Sequence, residues 1–212
     1  MRKLTHFAAV AVTALMVSAV AAAPAAAATN VLTYGNGTAV PVGTQLTADL
    51  APGTTANFYS STSGSTGVRC AASNFRATVD SNPTAPGVAE ETLTEQTFGS
   101  CTSNVFGVTG VRSITVDNLP YAAAVSSSTG LVTISGNIRS TVGLNTLFGS
   151  ITCVYEPPGG SLVGTTSDVD NSITFTNQRF DKVSGPSLCF STAYFSAKYA
   201  PVTGPGGPVF VN

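Results

Sequence analysis

The punctuation of this chain restricts its fold more than any other feature. From Asn30 onward, short runs are cut by turn residues at Asn36-Gly37, Ala51-Pro52-Gly53, Asn82-Pro83, Ala85-Pro86-Gly87 and Pro157-Pro158-Gly159-Gly160. Gly opens positive φ at no steric cost, and Pro locks φ while removing a donor, so regular structure stops at such points. Between them the residues alternate. Ser113-Ile114-Thr115-Val116-Asp117 has period two, and Ser172-Ile173-Thr174-Phe175-Thr176 puts Ile173 and Phe175 on one face and hydroxyls on the other. Phe75, Ala77 and Val79 share a face, as do Ile151, Cys153 and Tyr155; Ala193, Phe195, Ala197 and Tyr199 oppose Tyr194, Ser196 and Lys198. The chain is rich in Thr, Ser, Val and Gly and poor in Lys, Glu and Leu, the reverse of a helix-forming composition. These patterns predict an all-β, disulfide-stapled sandwich or barrel with little or no helix. Only Val88 to Gln96, where Glu90, Glu91 and Glu95 cluster, reads equally as a helix or a polar strand.

The N-terminus reads as an export signal. Arg2 and Lys3 precede an apolar run from Phe7 to Val20, and an alanine-rich stretch ends in Ala26-Ala27-Ala28, which fits the small-residue cleavage rule. Residues 1–28 are therefore expected to be removed after Ala28, giving a secreted, extracellular chain with no integral membrane segment. Arg2 and Lys3 are two of the nine Lys and Arg, so seven basic residues face ten acidic ones after cleavage, a formal charge of −3. The lone His (His6) and both Met residues lie in the signal, and Trp is absent throughout. Mild acidity with scattered basic residues excludes nucleic acid as a partner, because phosphate binding needs clustered Lys or Arg.

All four cysteines, Cys70, Cys101, Cys153 and Cys189, fall after the signal. An even number behind an export signal reads as a disulfide framework. Three pairings exist; Cys70–Cys101 and Cys153–Cys189 are preferred because each closes a moderate loop within its own half. There is no C-x-x-C spacing and no His to complete a zinc site. Each pair also begins in an apolar strand after a Gly, a weak duplication that either repetition or independent use of the same hairpin staple accounts for. The expected organisation is a signal over 1–28, an all-β domain over 29–203 (two similar halves, about 29–127 and 130–203), and a Gly/Pro-rich tail over 204–212. Val209-Phe210-Val211 in that tail reads either as a loose end or as an edge strand.

Three segments, Gly149-Ser150-Ile151-Thr152-Cys153-Val154-Tyr155, Ser172-Ile173-Thr174-Phe175-Thr176-Asn177-Gln178 and Cys189 to Tyr199, together with the alanine-laden signal, resemble small exported all-β proteins of high-GC actinobacteria. The resemblance implies export and this fold, and brings no catalytic residue.

Without a His after residue 28, Ser-His-Asp and Cys-His systems are excluded, and paired cysteines offer no thiolate. Two chemistries remain open. Paired carboxylates for glycoside hydrolysis would come from Glu90, Glu91, Glu95, Glu156, Asp168, Asp170 and Asp181. A weak calcium candidate is Asp168, Asp170 and Asn171, which reads more simply as a turn. No catalytic residue, metal or cofactor is assigned. The expected function is a secreted, non-catalytic binding or surface protein for an extracellular protein or polysaccharide, with Tyr194, Phe195, Tyr199 and Phe210 as candidate contacts. Few charged guards on strand edges make self-association an expectation as well. The alternatives are a protease inhibitor presenting Asn82 to Gly87 or Glu156 to Gly160, and a carboxylate-dependent glycoside hydrolase.

Overall fold

The computed structural model describes residues 29–212. The expected signal over 1–28 lies outside them. Fifteen strands and no helix occupy the described residues: β1 (Leu32–Tyr34), β2 (Gln45–Asp49), β3 (Ala56–Tyr59), β4 (Gly67–Ser81), β5 (Val88–Ser103), β6 (Val108–Asp117), β7 (Tyr121–Ser126), β8 (Leu131–Ser135), β9 (Arg139–Thr146), β10 (Gly149–Glu156), β11 (Ser161–Ser167), β12 (Ser172–Ser184), β13 (Thr192–Tyr199), β14 (Thr203–Gly204) and β15 (Gly207–Val211). Val88–Gln96 is strand, not helix. Its Ala89, Glu91 and Leu93 point inward with period two, and one edge is taken by β4 and the other by β7. Tertiary pairing of that kind overrides the weak helix preference of three glutamates.

Eight strands close into a ring of antiparallel neighbours in the order β4-β5-β7-β8-β11-β12-β13-β3, with β3 returning to β4. Closure leaves the eight ring strands paired along both sides, so the edges that remain lie at the ends of the side arms. The long strands β4 and β12 also carry side arms: β10, β9 and β6 continue from β12, while β2, β14, β15 and β1 continue from β4. In the ring β3, β4, β5 and β7, from the first half of the chain, stand side by side, as do β8, β11, β12 and β13 from the second; the halves mix in the side arms, where β6 pairs with β9 and β14 with β2. In the Gly/Pro-rich tail the paired reading holds, since Val209–Val211 runs antiparallel to Leu32–Tyr34.

The interior of the ring is aromatic. Phe58 packs on Phe98 and Phe195 with centroids 5.2 and 4.9 Å apart, and Phe75 meets Tyr199 edge-on at 5.4 Å. Edge-to-face pairs of this kind add about 1 kcal/mol each beyond the area they bury. Cys70 and Cys101 are directly opposed on β4 and β5, and their disulfide lies against this core; Cys153–Cys189 ties β10 to the segment between β12 and β13. Cys70, Cys153 and Cys189 are buried. No helix of the described residues is long and apolar enough to cross a membrane.

Candidate functional site

The space inside the fold is small. Apart from an open groove of about 320 Å³ bordered by Asp49, Leu50, Ala72, Asn74 and Gly99, the cavities lined by ring and side-arm residues measure about 30 to 50 Å³. Ligand sites span roughly 300–1,000 Å³, whereas a volume of this size holds one or a few waters. The ring is therefore filled by its own side chains.

One of those side chains is a carboxylic acid. Glu91 on β5 shares the inward phase of Ala89 and Leu93 and is 7 % exposed. Phe75, Ala77, Val132, Ile134 and Phe175 line the cavity it faces. Burial, and secondarily the charge of Asp80, push its pKa up from 4.5 to about 7. Asp168 lines an adjoining cavity with Glu91, but that space is only about 30 Å³, too small to admit a sugar ring between them. A second buried polar group is fully satisfied. The Tyr199 hydroxyl and Ser73 Oγ lie 2.9 Å apart, and Gln96 Nε2 donates to both at 2.9 and 2.8 Å. This network pins β4, β5 and β13 in register.

The other carboxylates named from the sequence sit at the surface, and all but Glu90 are engaged there. Glu95 faces Arg76 at 3.8 Å, Glu156 accepts from Arg139 Nε at 2.8 Å, and Asp181 pairs with Arg179 at 2.9 Å. Asp168 accepts the Val211 amide at 3.0 Å. Asp170 is held below the usual carboxylate range by hydrogen bonds from Lys198 and then Ser172. Asn171, in the left-handed region at φ 51°, donates to the Val209 carbonyl at 2.9 Å. Asp168 and Asn171 thus fasten the C-terminal hairpin, while Asp170 ties the same turn to Lys198 on β13. Glu90 remains exposed beside Glu91 but points to the opposite face of the sheet.

The aromatic candidates separate by strand phase. Phe195 and Tyr199 are core residues, Tyr194 is half-buried on the outer face of β13, and Phe210 packs over Gly35. A buried ring meets no partner, which removes Phe195 and Tyr199 from the candidate contact surface. The Asn82 to Gly87 segment is anchored: the Asn82 side-chain amide donates to the Leu32 and Val40 carbonyls at 2.8 and 2.9 Å. In the Glu156 to Gly160 segment the Gly160 amide closes a tight turn onto Pro157.

The surface feature that stands out was not singled out in the sequence. Phe106 is 95 % exposed, Phe148 98 % and Leu147 69 %. Phe106 occupies the turn between β5 and β6, where the Val108 amide bonds the Val105 carbonyl and Gly107 takes φ 82°. Leu147 and Phe148 are the two central residues of the β9–β10 hairpin, with Thr146 opposite Gly149. Two-residue hairpin loops favour Asn-Gly or Asp-Gly. A Leu-Phe pair at that point breaks the local rule without gaining any burial, and such violations concentrate at functional sites. Strand pairing brings the two turns together: Val108 is in register with Thr146, and the Leu147 amide donates to the Gly107 carbonyl. The signal in the sequence was the repeated pattern apolar–Phe–Gly, Val105-Phe106-Gly107 and Leu147-Phe148-Gly149. A Phe before a turn Gly reads as the last core residue of a strand unless the pairing register is known. By contrast Val169, also fully exposed, stands alone, and single exposed apolar residues are ordinary.

No family model, curated protein or solved structure is similar to this chain.

Proposed function

We propose that this chain is an exported, non-catalytic binding protein, cleaved after Ala28, that holds its target at the loop end bearing Phe106, Leu147 and Phe148. The observation that carries this reading is the exposure of two phenylalanines and a leucine on neighbouring turns, where folding alone would select polar residues. The filled ring supports it by leaving no interior ligand space, so the closed strands act as a barrel-like scaffold rather than a carrier. The ion-paired surface carboxylates, and the small space between Glu91 and Asp168, favour binding over glycoside hydrolysis. Two disulfides suit an oxidising compartment outside the cytoplasm, in keeping with the resemblance to exported actinobacterial proteins.

The test compares disulfide-bonded protein over residues 29–212 with its Phe106→Ser/Phe148→Ser variant for retention on washed cells of the producing organism. The unaltered protein is expected to be retained and the double variant lost to the supernatant, with unchanged melting temperature. Equal retention of the two would sink the reading.

A further inference from the structure

The exposed turns also indicate what kind of target they meet, if the binding reading above is accepted as the starting point. We propose that Phe106, Leu147 and Phe148 dock the protein on a lipid bilayer by inserting into its interfacial region.

Three observations favour lipid over a protein partner. The first is area. Two nearly fully exposed phenylalanines and a leucine offer roughly 500 Å² of apolar surface, since an aromatic side chain buries about 150–250 Å². A specific protein interface buries about 800 Å² on each partner. The second is shape. The three side chains stand on the apices of two turns, and none of them lines any of the cavities described above. Convex points need a matching pocket in a stiff partner, whereas a fluid interface accepts each side chain as it comes. The third is charge. No Asp, Glu, Lys or Arg occurs in 104–110 or 143–152, and the neighbouring β3–β4 loop, Ser60 to Thr66, is built from Ser, Thr and Gly. That loop is tied to the same end by Asn104, whose side chain donates to Ser65 and accepts from Gly67. Apolar apices flanked by hydroxyls and amides can enter the interface without burying a charge, which the hydrocarbon boundary penalises. With a formal charge of −3 after cleavage, the chain is not drawn to anionic headgroups. Adsorption therefore runs on apolar insertion, is reversible, and does not require anionic lipid.

The absence of Trp supplies a clean probe. The Phe148→Trp variant of the disulfide-bonded protein over residues 29–212 is titrated with vesicles of phosphatidylcholine alone, and of phosphatidylcholine with an equal amount of phosphatidylglycerol. The expected result is a blue shift and quenching by brominated acyl chains with both compositions, unaffected by added salt. Adding Phe106→Ser is expected to weaken partitioning roughly tenfold, the effect of withdrawing most of one phenyl ring from an apolar phase. Binding confined to the anionic vesicles and abolished by salt overturns insertion. No response to either vesicle, with turn-dependent retention on cells intact, overturns lipid as the target and leaves the binding reading standing. Failure of both assays overturns both.

Discussion

Replacing Glu91 by Gln takes a titrating group out of the apolar interior while keeping its shape, and the consequence for stability can be worked from its pKa. In the folded protein burial raises that pKa from 4.5 to about 7, a difference worth about 3 kcal/mol between the two protonation states. Between pH 4.5 and about 7 the folded chain binds the proton and the unfolded chain has released it. Stability must then fall as pH rises through that window, and level off above it. The contribution is fully present below pH 4.5 and gone by about pH 8. The window is uncluttered because no His follows residue 28. Asp170 acts with the opposite sign but lower down: its depressed pKa gives stability that is lost only as pH falls below the usual carboxylate range. Urea unfolding at intervals from pH 5 to 8, followed by tyrosine fluorescence and far-ultraviolet circular dichroism, measures the slope. Unaltered protein is expected to lose about 3 kcal/mol across the range, a midpoint shift of roughly 1.5 M for a slope near 2 kcal/mol/M. Glu91→Gln should flatten the profile and exceed the unaltered protein at pH 8 by about that amount. Identical slopes in the two proteins, or unaltered protein that gains stability from pH 5 to 8, would refute the reasoning.

Other perturbations have equally definite outcomes. Replacing Cys153 and Cys189 together by Ala opens a loop of sequence separation 36 and should cost about 4 kcal/mol by the chain-entropy argument, read by urea unfolding. Asn82→Ala withdraws an amide that binds the Leu32 and Val40 carbonyls and accepts the Leu32 amide at 2.8 Å. It should destabilise by about 2–3 kcal/mol and raise hydrogen exchange first in β1 and β15. Tyr199→Phe leaves Ser73 and Gln96 without their shared hydroxyl, a loss of about 1–2 kcal/mol in thermal or urea unfolding. Gly164→Ala would put a methyl 2.9 Å from the Phe175 ring and 3.1 Å from Ile173, and overpacking there should cost about 1–3 kcal/mol.

Local pattern and long-range pairing contribute different things to this protein. An all-β chain could be read directly, because alternation in Ser172–Thr176 or Ala193–Tyr199 records which side chains share a face, and Gly and Pro mark where each run must stop. The disulfide partners followed from loop length, and the structure joins Cys70 to Cys101 and Cys153 to Cys189. Alternation is silent, however, on which strand lies beside which. That β3 meets β13, closing strands from distant parts of the chain into a ring, is a matter of register and closure. The same limit hid the buried acid and the exposed turns. Glu91 was visible as one of three clustered glutamates, but only the placement of β5 between β4 and β7 turned it inward and left Glu90 outside. Phe106 and Phe148 were visible as apolar residues before glycines. Only the pairing of β6 with β9 set their turns side by side, because proximity across a sheet depends on hydrogen-bond register and not on distance along the chain.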